Sequence, residues 1–243
     1  MEIRYYKKND EIKTYEDWER VFRSAKPKDW EEGRSAQSLA FYMMKNDGFE
    51  KLKQQVGEAL NEQIVEIEKA TIEGRVAFDN YNHSREHDLA IMAKTKSGKS
   101  VFVGIEAKVD ESFGSGTIHQ YQTNAVKKNI NSKVPERVKL LRMYFPKNLS
   151  EDCFNSLQYQ LATATAGTLC AKTDDNKDFD MYVFMVLVFK TEKYDAKKGQ
   201  KNKIAFDKYI QALQEQQGTN KYVCKVKGKQ FAIVYVSMDL KAQ

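Results

Sequence analysis

Asp88-Leu-Ala-Ile-Met-Ala-Lys-Thr-Lys-Ser-Gly-Lys-Ser-Val-Phe-Val-Gly-Ile-Glu-Ala-Lys108 decides the fold. Two apolar runs, Leu89–Thr95 and Ser100–Val109, flank the polar turn Lys96-Ser-Gly-Lys99 and read as a β-hairpin. Side chains two apart on a strand share a face, so Glu106 and Lys108 point the same way. Pairing across the turn brings Asp88, at the start of the first strand, to the same patch. Two carboxylates and an ammonium at a strand end form a donor set suited to a divalent metal and to cutting phosphodiesters.

The acid-x-Lys spacing carries little by itself, since about four matches arise by chance at this composition. Glu11/Lys13, Asp175/Lys177 and Asp195/Lys197 lie in polar surroundings, and Asp239/Lys241 follows an apolar strand at the chain end without an upstream acid. Only Glu106/Lys108 has an acid, a turn and an apolar strand before it and a glycine-containing loop and helix after it. The competing reading is a cross-strand surface ion pair.

The 243 residues suit one α/β domain, and with 3 Pro and 12 Gly there is no linker composition to divide them. Along that single domain, residues 1–48 read as an N-terminal helical part, 49–145 as the core, and 146–243 as an extension of the same sheet. The chain is 41% hydrophobic and 12% aromatic, enough for a large core, and 30% charged with a mean hydropathy of −0.68. Its longest apolar run, Met181 to Phe189, is too short to cross a bilayer, so no membrane partner is expected. The first residues lack an apolar leader core, and cytoplasmic residence is the expectation. Cys153, Cys170 and Cys224 are odd in number and widely spaced, and read as buried thiols. A net charge of +6 and a pI near 8.9 permit an anionic partner, with lysines at 127–128, 197–203 and 221–229.

Thr14 with Asp17 marks a capped first helix, and apolar stripes over Ala36–Met44 and Phe49–Leu60, parted at Gly48, mark two more. A strand is expected from Gln63 to about Ile72, then a polar, turn-rich segment from Gly74 to Glu86. After the hairpin come a loop, a helix from Ile118, a strand over Val138–Phe145, a long helix capped by Ser150, a central strand Tyr182–Phe189, a basic loop, a helix with Phe206 and Tyr209, and a final hairpin (Lys221–Lys227, Gln230–Met238). This order predicts an α/β fold with a mixed central β-sheet flanked by helices.

Over residues 50 to 130 the chain resembles the PD-(D/E)XK, or restriction-endonuclease-like, nuclease superfamily: a Glu-bearing helix, a strand, a hairpin with Asp88 and Glu106-Ala-Lys108, then a helix with Gln120 and Gln122. The segments Gly33–Ala40, Gly104–Gly114 and Tyr159–Thr168 look similar to a bacterial branch of that superfamily. The resemblance implies a restriction-endonuclease-like core with N-terminal helices and a C-terminal β-hairpin. It implies Mg²⁺ or Mn²⁺ held by Asp88, Glu106, the carbonyl of Ala107 and a helix-borne Glu, here Glu58 ahead of Glu50 and Glu62. Lys108 would orient or deprotonate the attacking water, and Gln120 or Gln122 would steady a phosphate or metal-bound water. His87 stands where that pattern has Pro. Asp110 and Glu111 add carboxylates beside the site, as second-shell groups, an alternative acid or loop surface, with Glu111 spaced to pair with Lys108.

His83 and His87 with Asp88 offer a zinc-like spacing, but on an extended or looped segment without further His or Cys nearby. Gly114-Ser-Gly116 before the helix at Ile118 either presents N–H groups to a phosphate or merely turns the chain. No Ser-His-Asp arrangement and no Walker or dinucleotide fingerprint is legible. Three function classes remain: a metal-dependent nuclease acting on DNA or RNA, a nuclease-like fold that binds nucleic acid without cutting, and a protein-interaction module. A homodimer is compatible with each.

Overall fold

A computed structural model describes residues 5–7, 10–45, 47–81, 84–114, 116–213, 221–226 and 228–240. In chain order the elements are β1 (Tyr5–Lys7), β2 (Asp10–Ile12), α1 (Tyr15–Ala25), α2 (Ser35–Lys45), α3 (Gly48–Leu60), β3 (Ile64–Val76), β4 (Arg85–Thr95), β5 (Ser100–Lys108), α4 (Ile118–Lys128), α5 (Val134–Arg142), α6 (Glu151–Ser156), α7 (Tyr159–Cys170), β6 (Met181–Lys190), α8 (Ala196–Leu213), β7 (Lys221–Val226) and β8 (Lys229–Asp239).

The hairpin forms as its alternation predicts, with Ala93 opposite Val101 and Leu89 opposite Ile105. It lies in the middle of one eight-stranded sheet, ordered β2-β1-β3-β4-β5-β6-β8-β7. β4 runs antiparallel to both β3 and β5, whereas β3 is parallel to β1 and β6 is parallel to both β5 and β8, which makes the sheet mixed. Strands from the first, middle and last parts of the chain thus share one sheet.

Helices cover both faces. Leu89, Ile91, Val101, Val103 and Ile105 join a core with α1, α2 and α3. Ala90, Phe102, Phe184 and Val186 join a second core with α4 to α8. The near-continuous apolar run of β6 follows from burial on both faces. α1 is capped by Thr14, whose hydroxyl accepts from Asp17 N while Asp17 caps back. On the other side, the small side chains of α7 let its axis approach the strands, and Ala162 through Gly167 are all buried.

Several expectations are corrected. Val138–Phe145 is not a strand: α5 occupies Val134–Arg142, and buried Val138, Leu141 and Phe145 are spaced by three and four, with Pro135 in the first turn. The long helix after Ser150 is two helices, because Leu157 O accepts from Ile118 N and Tyr159 N donates to Gly116 O, drawing Leu157–Gln158 into extended backbone. The basic loop at 197–203 is instead the start of α8. Only the two ends of the segment 74–86 are strand, since β3 runs on to Val76 and β4 begins at Arg85; the described residues between them are turn or irregular. β1 and β2 were not anticipated. The three cysteines are half-buried and unbridged. Ser115 and Lys227 lie outside the described residues.

Candidate functional site

β4 changes its facing partway along. Arg85 and His87 abut Gly167 of α7, so both side chains point to the α7 face. Strict alternation would send Leu89 there too, yet Leu89 packs on the opposite core and Ala90 on the α7 side. The parity shift falls at Asp88, opposite the Glu73–Gly74 irregularity of β3, where Glu73 takes a left-handed φ of 50° that is costly for a residue with a Cβ. The Asp88 carboxylate turns to the neighbouring strand and accepts from Ala107 N at 2.7 Å.

Glu106 is nearly fully buried, and both of its oxygens are engaged. Oε1 accepts from Lys108 Nζ at 2.8 Å and from Gln160 Nε2 at 2.6 Å, while Oε2 accepts from Arg85. Burial works to raise the Glu106 carboxyl, but Lys108 and then Arg85 more than offset it and hold it well below the usual carboxylate range. Burial likewise opposes the charge on Lys108, yet Glu106 and Asp88 keep its ammonium above the ordinary value. Asp88 fares differently. Burial first, and the Glu106 charge second, push its carboxyl up to about 7. Of these two neighbouring carboxylates, the buried one is therefore firmly ionised and the half-buried one is pushed towards neutrality.

His87 is fully buried against Phe102 and close to Gly104, and burial, then Arg85, push its imidazole down to about 3. Neither ring nitrogen has a hydrogen-bond partner among the described residues. His83 lies outside those residues, so the zinc reading of 83 and 87 has no geometry to stand on.

Asp88 and Lys108 open onto a cavity of about 350 Å³ between the strand ends and α1–α2. Trp18, Phe22, Leu39 and Ile72 give it an apolar wall, and Lys26, Lys28, Arg34, Glu73 and Glu111 give it charge. Glu106 lies behind this cavity, on the α7 side.

Two predicted site residues are elsewhere. Glu58 is exposed, accepts from Gln54 Nε2 at 2.9 Å and lines a groove with Glu50 and Glu62. Glu62 in turn binds Lys99 Nζ at 2.7 Å and Ser97, in the hairpin turn, which is the far end of β4 and β5 from Glu106. α3 and the turn after it therefore place these acids at the other end of the strands, and none of the three lines the cavity with Asp88. Gln120 is the N3 residue of α4's capping box, accepting from Thr117 N at 3.0 Å; the Glu106 oxygens are taken by Lys108, Gln160 and Arg85, not by Gln122. The glutamine that does reach Glu106 is Gln160, in the first turn of α7, and the acid beside Asp88 on the cavity wall is Glu73. Glu73 precedes the hairpin in β3 and Gln160 lies far downstream of it in α7, so local spacing could not reveal them.

Asp110 and Glu111 are structural ties. Asp110 accepts from Arg34 Nη1 at 2.6 Å and from Asp195 N at 2.9 Å. Glu111 accepts from Ser35 N at 3.2 Å and Val109 N at 2.6 Å, so its oxygens serve α2 and its own loop while Lys108 bonds to Glu106. Among the described residues, no group of three or more His, Cys, Asp or Glu side chains is arranged to hold a metal ion. Nor is any described helix long and apolar enough to cross a membrane.

No curated protein and no solved structure matches this chain. One family model does, over residues 11–240, nearly the whole sheet and both helical layers. The chain belongs to the family described as a domain of unknown function (DUF6946).

Proposed function

We propose that this protein is a metal-dependent nuclease-like enzyme that hydrolyses phosphodiester bonds in DNA or RNA. One observation carries the reading: at the paired ends of β4 and β5, Asp88 bonds to the backbone between Glu106 and Lys108, Lys108 bonds to Glu106, and Asp88 and Lys108 open onto a cavity. The order α3, β3, β4, β5, α4 matches the segment that resembles the PD-(D/E)XK superfamily. Such a function needs a close pair of acids, a fixed cation and room for a phosphate, and Asp88 with Glu106, Lys108 and the adjoining cavity support it.

The donor set suits Mg²⁺ or Mn²⁺. It offers only oxygens, from Asp88, Glu106 and the Ala107 carbonyl, and the repulsion that raises Asp88 is one that a divalent cation relieves. With two side-chain ligands the ion would keep several waters and bind weakly. When bound, it supplies a lowered pKa for water and charge to offset that building on the phosphate. Lys108, kept cationic at neutral pH by Glu106 and Asp88, acts as a charge donor to a phosphate oxygen or orients water; it is not a base. Asp88 is the group able to hold or release a proton near neutrality. Gln160 and Arg85 steady Glu106.

A second reading, a nuclease-like fold that binds nucleic acid without cutting, is favoured by one observation. Arg85 and Lys108 already neutralise Glu106, so this carboxylate has a stable state without metal. Incubating the protein with single-stranded and duplex DNA and RNA, with and without Mg²⁺ or Mn²⁺, separates the two. Metal-dependent cleavage that Glu106→Gln abolishes together with Mn²⁺ binding supports the enzyme. Salt-sensitive binding without cleavage supports the second reading.

A further inference from the structure

We infer that the first turns of α8 form the surface along which a nucleic-acid backbone is led into the site, with Lys197, Lys198 and Lys201 contacting its phosphates. The inference rests on the nucleic-acid reading above and names where on this chain the polyanion runs.

α8 carries five lysines and one aspartate. Its buried face is set by Gly199, Asn202, Phe206, Tyr209 and Ile210. At 100° per residue, Lys197 and Lys201 fall nearly opposite that face and Lys198 on its flank, and all three are exposed. Lys203 is tied to Asp207 at 2.6 Å. Lys197, Lys198 and Lys201, by contrast, make no ion pair among the described residues. Asp195 is the nearest acid in sequence, and its Oδ1 already accepts from Lys197 N at 2.8 Å and Lys198 N at 3.1 Å.

The same turns are fastened to the candidate site. Asp195 N donates to Asp110, two residues after Lys108, and Asn202 Nδ2 donates to Glu111 O at 2.7 Å. Asn202 is buried, so this bond fixes the rotation of α8 about its axis and leaves the lysine stripe facing outward beside the loop that follows Lys108. A rise of 1.5 Å per residue sets Lys197 and Lys201 about 6 Å apart along the helix, a spacing that suits successive phosphates of one strand. Lys127 and Lys128, also exposed, have a local explanation, since they complement the C-terminal end of α4.

The test compares the full-length protein with Lys197→Gln/Lys198→Gln/Lys201→Gln and with a charge-matched control, Lys127→Gln/Lys128→Gln/Lys139→Gln. Binding to a fluorescent single-stranded oligonucleotide is followed against salt, and thermal melting checks that both variants stay folded. Each lost phosphate contact should lower the log–log salt slope by about 0.7, so the α8 variant should lose about 2 from the slope and about tenfold or more in affinity. The control should match wild type. Equal slopes for wild type and the α8 variant, or loss in the control alone, overturn the α8 surface while leaving the nucleic-acid reading intact. Wild type that binds no oligonucleotide at low salt overturns both, and an acidic protein ligand becomes the partner to seek.

Discussion

Arg85 of β4 donates to Oε2 of Glu106 on β5, and the pair is enclosed, with side-chain exposures of 11% and 2%. The two residues approach because the facing of β4 shifts at Asp88, which leaves Arg85 and His87 on the α7 side with Glu106 while Asp88 reaches the cavity. The guanidinium thus sits on one side of Glu106 and the Lys108 ammonium on the other.

Removing the guanidinium should be costly. Arg85→Met leaves a buried carboxylate with one cation and one amide, and breaking such a pair typically costs about 3 kcal/mol or more. Urea unfolding measures this. If Glu106 also binds a divalent cation, Mn²⁺ should stabilise Arg85→Met more than wild type, since the ion no longer competes with Arg85. A destabilisation below about 0.5 kcal/mol would mean the pair is effectively solvated.

Lys108→Met separates chemistry from folding less cleanly than an exposed strand end would. Lys108 is buried and bonded to Glu106, so the change should destabilise by roughly 1–3 kcal/mol. Metal-dependent cleavage, measured where the variant is fully folded, should fall by about two orders of magnitude or more. Oligonucleotide affinity should change by less than about threefold, because one phosphate contact among several is lost. Full-rate cleavage by this variant would move the active centre elsewhere.

The parts of this fold written in local pattern were legible. The Thr14/Asp17 capping box, the Lys96–Lys99 turn and the apolar run of β6 each announce their element within a few residues. What failed was non-local. Nothing near Leu157 signals that Ile118 and Gly116 will take its backbone bonds and restart the helix, yet that restart aims Gln160 at Glu106. Glu58 satisfied the sequence order, but only the packing of α3 decides which end of the strands it meets. Val138–Phe145 has the apolar content of a strand, but its three–four spacing is that of a helix.

Asp88 and His87 pull stability in opposite directions with pH. The Asp88 carboxyl is raised to about 7, so the folded state holds a proton that the unfolded chain has released. Its contribution is intact below about pH 4 and is lost as pH rises towards 7. His87 is pushed down to about 3, so its contribution is present above about pH 6.5 and is lost as pH falls towards 3. Relative to wild type, Asp88→Asn should make stability climb more steeply between about pH 4 and 7 and raise it near pH 8. His87→Leu should tilt the same curve the other way. Chemical unfolding across that range measures the slopes; parallel curves for all three proteins would contradict the assignment.

Gln160 and Gln120 should behave oppositely on substitution. Gln160→Leu removes a 2.6 Å bond to Glu106 and should lower cleavage at least about tenfold while weakening the fold by roughly 1 kcal/mol. Gln120→Ala removes half of a capping box, should cost about 0.5–1 kcal/mol and should leave cleavage at the wild-type rate. Glu58→Gln, in a solvated groove, should change neither. Melting curves and cleavage rates on one set of preparations decide the matter, and a Glu58 variant that loses cleavage would restore that residue to the site.

The parallel pairing of β5 with β6 has a consequence for how the chain is made. Val101 must find Met181 and Lys108 must find Val188, so the edge beside Val-Phe-Val-Gly-Ile stays open while four helices are synthesised. A nascent chain halted in α5 would carry a finished hairpin whose apolar edge is a template for intermolecular pairing. Long-range closure of this kind slows folding. Fragments ending before β6 should therefore aggregate or need a chaperone, and the acids and cations gathered on β4 and β5 acquire their α7 covering only after α4, α5 and α6 have also been made.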